Sequence, residues 1–228
     1  MFAIFVGRSA SGKTTLCNRI VEQVINKKKF NIVYVVNDAF SIELELLEML
    51  KKHKNVHIIK CDSLKKEKMD PIQDYVKGLN TPTLIIMDNF TYGLRDNAFL
   101  NFTTYSRKYN CSVIYIAHTL YGAKAIYPRL RELLSYLVIF YINNSKLKYL
   151  LGEEIEDVYV QNIRFREYTK LIYDFNSQVY MVAGKDYVPQ LVFANKEEEA
   201  EYTKQKEILQ EIEAHRAKAE ANKQQFWF

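Results

Sequence analysis

Phe2-Ala3-Ile4-Phe5-Val6-Gly7-Arg8-Ser9-Ala10-Ser11-Gly12-Lys13-Thr14-Thr15 passes from five apolar residues into a glycine-bounded loop and then into a segment of helical period. Residues 7–14 fit the pattern G-x-x-x-x-G-K-[ST]. Each position in that pattern has a physical reason. The glycines let the backbone wrap closely around phosphate oxygens, and the N–H groups of the loop and of the new helix point inward. The lysine ammonium reaches the β and γ phosphates, and the Thr14 hydroxyl is placed to ligate Mg²⁺. The stretch therefore predicts strand, phosphate loop and helix in succession. Its candidate ATP-binding residues are Gly7, Arg8, Ser9, Ala10, Ser11, Gly12, Lys13, Thr14 and Thr15.

Composition adds little but excludes much. The chain has 228 residues, 48% hydrophobic and 26% charged, with 32 Lys and Arg against 27 Asp and Glu for a net charge of +5. These proportions are those of an ordinary globular protein. With 7 Gly and 4 Pro the chain is neither collagenous nor low-complexity, and two of the seven glycines bound the loop. The longest apolar stretch, Leu133–Ile142, falls short of the ~18–20 residues a membrane span needs, and Phe2–Val6 reads as a buried strand and not as a signal peptide. Cys17, Cys61 and Cys111 lack the spacing of a disulfide framework or a zinc site, so free thiols are expected.

Further along, short apolar runs alternate with segments of helical period, the pattern of an α/β sheet between helices. Strands are expected at Phe2–Val6, Asn31–Val36, Val56–Lys60, Thr83–Asp88, Cys111–Ala117 and Tyr136–Ile142. Helices are expected at Lys13–Lys28, Ser41–His53, Pro71–Leu79, Asp96–Tyr109 and Ala123–Leu134. After Ile142 the pattern changes to a helix over Lys146–Arg166, a hairpin over Lys170–Ala183 turning near Asn176-Ser177, and a charged helix over Lys196–Gln225. Residues 1–195 read as one ATPase domain, and 196–228 as a charged helix with an aromatic tail.

The other chemistry-bearing positions lie where apolar strands end. Leu84-Ile85-Ile86-Met87-Asp88 delivers a carboxylate suited to holding Mg²⁺. Asn89 follows it, and an amide takes no proton from water, so Asp38 is the candidate for polarising an attacking water, or else the cap of the next helix. Ser112-Val113-Ile114-Tyr115-Ile116-Ala117 delivers His118 to the carboxyl edge of the sheet, where it would sense the γ-phosphate. Arg107, Arg129 and Arg131 are candidates to stabilise transition-state charge on a neighbouring subunit. The basic clusters at Lys27–Lys29, Lys51–Lys52 and Lys65–Lys66 read as solvated faces first and DNA contacts second.

The order Met87-Asp88-Asn89-Phe90, Ser106-Arg107-Lys108 through Ala117-His118-Thr119, Pro128-Arg129-Leu130-Arg131 and Val138-Ile139-Phe140 resembles the poxvirus-type viral genome-packaging ATPases of the FtsK–HerA superfamily. The resemblance covers about residues 2–183. In that family an Arg-His or Arg-Ala pair precedes the sensor strand, the strand ends in Gln, and a Pro-x-x-Arg-like segment follows; here Arg107-Lys108, His118 and Arg131 stand at those positions. It implies a P-loop NTPase fold of the RecA-like kind, with a mainly parallel central sheet. It also implies hydrolysis of ATP with Mg²⁺, coupled to translocation of double-stranded DNA. The family's subunits form a ring, often hexameric, with an arginine supplied in trans, at the packaging vertex of the virion and in the host cytoplasm. The closing Phe226-Trp227-Phe228 invites docking to a capsid vertex or viral membrane protein, or folds back on the body. Asn89 and His118 depart from the family pattern of a second acidic residue and a Gln. Other readings of the same motifs are a recombination- or helicase-type RecA-like DNA ATPase, a P-loop small-molecule kinase, and a nucleotide-binding assembly protein without hydrolysis.

Overall fold

The computed structural model describes residues 1–25, 30–37, 52–88, 90, 97–118, 127–140, 170–177, 179–184, 189–192 and 196–225. Six strands run parallel: β1 (Phe2–Val6), β2 (Asn31–Val36), β3 (Val56–Lys60), β4 (Thr83–Asp88), β5 (Cys111–Ala117) and β6 (Tyr136–Phe140). Val, Ile, Tyr and Phe dominate them with almost no polar interruption, as strands covered on both faces require. Three antiparallel strands, β7 (Lys170–Asp174), β8 (Val179–Ala183) and β9 (Pro189–Val192), extend one side. The sheet order is β3-β2-β4-β5-β1-β6-β7-β8-β9. The expected mainly parallel α/β architecture is the observed one.

Alternation along the strands divides the core into two layers. Val33, Val35, Ile85, Met87, Val113 and Tyr115 face α2 (Lys66–Gly78), α3 (Asn97–Lys108) and α4 (Tyr127–Leu133). Tyr34, Val36, Ile86, Ile114 and Ile116 face α1 (Lys13–Ile25), whose Cys17, Val21 and Ile25 close the other side. Helix α5 (Lys196–Gln225) opens on Glu197, Glu198 and Glu199, which suit the positive end of its dipole. No helix among the described residues is long and apolar enough to cross a membrane.

Five strands and α5 have the expected bounds, and the β7–β8 turn falls on residues 175–177 as expected. Two expectations need correction, and one strand was not expected. Helix α2 starts at Lys66, not Pro71, which lies inside it. Lys68 and Met69 both donate to the Lys65 carbonyl, so the first turn forms ahead of the proline, whose missing N–H removes only one later bond. Strand β9 was not anticipated; it is four residues long and begins on Pro189, which an edge strand tolerates at its first position. Lys52 and His53 are not helical, so the helix expected at Ser41–His53 does not reach them. The rest of that helix, the one expected over Lys146–Arg166, and Phe226–Phe228 lie outside the described residues.

Candidate nucleotide-binding site

Strand β5 lies between β1 and β4, and the register sets their carboxyl ends level: Val6 pairs with Ala117, and Ile116 with Asp88. Gly7, His118 and Asp88 therefore stand at one edge of the sheet. Asp88 follows Ile86, and His118 follows Ile116, by two residues on the layer that faces α1, so both share a layer with Lys13. In an open parallel sheet the ligand crevice forms at this edge.

The loop between β1 and α1 is tightly specified. The Gly7 amide donates to the Ala117 carbonyl (3.2 Å) and the Ser11 amide to the Arg8 carbonyl (3.3 Å). A Cβ on Gly7 would stand 2.7 Å from the Phe140 Cβ and 2.9 Å from Ser11 Oγ, so no larger residue fits without displacing β6 or the loop. Ala10 and Gly12 have φ of 60° and 92°, turning the chain back to begin α1. Leu16 makes an i→i−4 bond to Gly12 (3.0 Å), and the amides of Lys13, Thr14 and Thr15 precede it at the positive end of the helix.

The Lys13 side chain is buried, with 5% exposed, and its ammonium donates to the carbonyls of Gly7 (2.8 Å) and Arg8 (2.6 Å). Burial lowers its pKa, and the Asp88 carboxylate acts in the opposite sense. The His118 pKa is also lowered, first by desolvation and then by the Lys13 charge, so the imidazole is neutral at neutral pH. Beneath the loop, burial raises the Cys17 thiol and the Tyr34 phenol well above their ordinary values.

Three buried polar atoms here, Ser11 Oγ, Asn18 Oδ1 and Tyr34 Oη, make no hydrogen bond. An orphaned hydroxyl inside a loop edged by helical amides and a lysine suits an anion with several oxygens, such as a polyphosphate. Among the described residues no group of three His, Cys, Asp or Glu side chains is arranged to hold a metal ion. One carboxylate and one hydroxyl, Asp88 and Thr14, match Mg²⁺ held mainly by water and phosphate better than a zinc or calcium cage.

Not every expected residue gathers at this edge. Arg107 lies in the last turn of α3 at the opposite, amino edge of the sheet, roughly 20 Å away by the six steps of β5 from Cys111 to Ala117. Its guanidinium donates to the Leu133 carbonyl at the end of α4. Arg107 thus takes no part in the site of its own chain. Arg129 is exposed in the first turn of α4. Arg131 lies on the same helix, and its side chain, like Asp38 and Asn89, is outside the described residues.

Three residues outside the sequence motifs brace the site. Phe140 packs under Gly7; Tyr115, buried in β5, donates to the Phe90 carbonyl just beyond Asp88; and Lys170, 1% exposed, donates to the Gly184 carbonyl (2.9 Å) near Phe140. The only signal of Phe140 and Tyr115 was apolar strand periodicity, which marks burial and not proximity to a site, and a lysine at the start of a strand carries no such signal.

B204, the DNA-packaging ATPase from Sulfolobus turreted icosahedral virus, superposes with a TM-score of 0.62 over 79% of this chain and 95% of that one, at 17% identity. This chain shares the fold of B204. The genome-packaging NTPase B204 of Sulfolobus turreted icosahedral virus 2 in complex with ATP-gammaS gives 0.59 at 17% identity, with the same coverage of 79% and 95%. Its complex with AMPPCP gives 0.58 at 16% identity. No protein-family model and no curated protein matches the chain. The match spans nearly all of B204, and what is shared is the mainly parallel α/β sheet between helices described above.

Proposed function

We propose that this protein hydrolyses ATP to drive double-stranded DNA through a ring of its own copies, packaging a viral genome into a preformed capsid. The observation that carries the reading is the meeting of the Gly7–Thr15 loop, Asp88 and His118 at one sheet edge, with the sensor strand β5 between β1 and β4. The fold shared with B204, itself a DNA-packaging ATPase, supports the same reading. A hexameric ring, a capsid or membrane partner at the packaging vertex, and residence in the virion and host cytoplasm belong to this proposal. So does the division into a 1–195 ATPase domain and a 196–228 extension.

When bound, Mg-ATP supplies the phosphoanhydride that is cleaved and a metal that neutralises phosphate charge. The protein's part is positioning and electrostatics. The amides of Gly12–Thr15 and the Ser11 hydroxyl would hold phosphate oxygens. Lys13 uses two of its three ammonium protons on the Gly7 and Arg8 carbonyls, fixing its direction, and offers the third to phosphate. Thr14 and Asp88 would ligate the metal. The neutral His118 can accept or donate one hydrogen bond at the γ-phosphate without adding charge. Asp38 would orient the water, and Arg129 or Arg131 of a neighbouring copy would meet the developing charge.

The reading is tested by ATP-dependent displacement of a third DNA strand from a triplex. Displacement requiring both hydrolysable ATP and duplex beside the triplex supports translocation. Phosphoryl transfer to a nucleoside with no displacement would replace the motor with a kinase.

A further inference from the structure

At the edge opposite the phosphate loop, the ends of α2 and α3 place tyrosines and lysines on one surface. Tyr75, Tyr105 and Tyr109 are 40%, 42% and 40% exposed, half of the six large apolar side chains left exposed among the described residues. Lys77 Nζ lies 5.6 Å from the centroid of the Tyr109 ring, and Lys108 Nζ 5.5 Å from that of Tyr105. Tyr75 is fixed to β3 through a 2.7 Å hydrogen bond with His57 Nδ1. Lys54, also exposed, leads into that strand. Two carboxylates of α2 are close: Asp74 is held by Lys77 at 3.1 Å, and the exposed Asp70 lines the groove between α2 and α3 with Tyr105 and Lys66, while Glu132 and Asp174 belong to α4 and β7.

The surface rests on a firm edge. Ile32 donates to the Asn55 carbonyl, Asn31 to Pro82 and Thr83 to Asn110, lacing β3, β2, β4 and β5 together where they begin. From β3 to β5 is three strand spacings, about 14 Å, or about four base pairs of duplex. Lys77 and Lys108 complement the negative ends of their helices. That accounts for their charge but not for the exposed rings under them. Protein interfaces are enriched in tyrosine but depleted in lysine, whereas phosphate oxygens accept from both, more strongly from ammonium; Tyr105 and Tyr109 are the hydroxyls in question, since that of Tyr75 is engaged by His57.

We propose that Lys54, Tyr75, Lys77, Tyr105, Lys108 and Tyr109 form a track for the phosphate backbone of duplex DNA. The inference rests on the DNA-motor reading and adds where the duplex is gripped. Hydrolysis and grip then occupy opposite ends of the same strands.

The test is binding of a short mixed-sequence duplex by the full chain across a salt series, for the wild type and Lys54→Gln/Lys77→Gln/Lys108→Gln. Each phosphate contact contributes about 0.9 to the slope of log K against log salt, so the triple variant should be shallower by nearly 3. Its affinity should fall at least ~10-fold at near-physiological salt, with basal ATPase and melting temperature unchanged. Should the triple variant melt early, Lys54→Gln/Lys108→Gln alters two exposed side chains and should change the slope by about 2. Wild-type binding that both variants retain with the same slope overturns the track and leaves the motor reading standing. A wild type that binds no duplex at any salt overturns both.

Discussion

The ammonium of Lys13 donates to the carbonyl of Gly7 at 2.8 Å, joining the two ends of the phosphate loop. With the Arg8 carbonyl as its second acceptor, Lys13 organises the loop that is to carry its ligand. A buried ammonium with two neutral acceptors is desolvated without full compensation, and the lowered pKa reports that cost. Lys13→Met should therefore leave thermal stability within about 1 kcal/mol of wild type, yet lower ATP turnover by at least ~10²-fold. Calorimetry and a phosphate-release assay read the two effects separately.

The loop's glycines are expected to fail differently. Gly7→Ala sets a methyl 2.7 Å from the Phe140 Cβ, an overpacking that should cost about 1–3 kcal/mol. Gly12→Ala meets the strain of φ 92° instead, about 1–2 kcal/mol, and should disturb nucleotide affinity more than β6 packing. Melting curves and nucleotide titrations of both variants distinguish the two.

His118 gives a pH signature. Its folded pKa is lowered, so the unfolded chain takes up the proton first as pH falls. Below the ordinary histidine range, folding stability attributable to this group declines with falling pH. If neutral imidazole serves the γ-phosphate, turnover falls over the same window as His118 charges. His118→Gln, which cannot titrate, should keep activity at neutral pH and lose that acid limb. An unchanged pH profile would remove His118 from the site.

Tyr34 is 4% exposed, and its hydroxyl has no partner. Tyr34→Phe should be neutral or stabilising by up to about 1 kcal/mol in the absence of nucleotide, since the desolvation penalty of an unpaired hydroxyl is about 1–3 kcal/mol. A melting temperature several degrees lower would contradict this.

Arg107 and Arg129 can be separated by one comparison. The Arg107 bond to the Leu133 carbonyl predicts that Arg107→Ala costs about 0.5–1.5 kcal/mol of stability with little effect on turnover. Arg129→Ala should leave stability unchanged. If Arg129 acts in trans, its loss lowers turnover by ~10³-fold in the assembled ring. Equal turnover losses in both would contradict the placement of Arg107.

Much of this fold was legible because its strands announce themselves twice. Thr83–Asp88 and Cys111–Ala117 are apolar on both faces and end in a polar residue, so both bounds and the position of Asp88 and His118 followed from hydrophobicity alone. Pairing order was not legible in that way. Nothing local in Cys111–Ala117 tells that it enters between β1 and β4, which is what brings Asp88 near Lys13 without making the two strands neighbours. Pro71 misled because a proline is commonest in the first turn, whereas here the helix starts five residues earlier at Lys66, on the Lys65 carbonyl with no side-chain cap. Sequence adjacency to the sensor strand places Arg107 at that strand's start, a full strand length from its functional end, so its candidate role is toward a neighbouring copy and not its own site. Phe140 and Tyr115 look like any core residues, and only tertiary packing reveals that one wedges Gly7 and the other tethers Phe90.

The most direct test of the central claim is steady-state ATP hydrolysis by the full chain with and without duplex DNA, beside Lys13→Met. The account predicts Mg²⁺-dependent turnover that rises with duplex and disappears in the variant. Absence of turnover under both conditions, or turnover that survives the loss of Lys13, would contradict it.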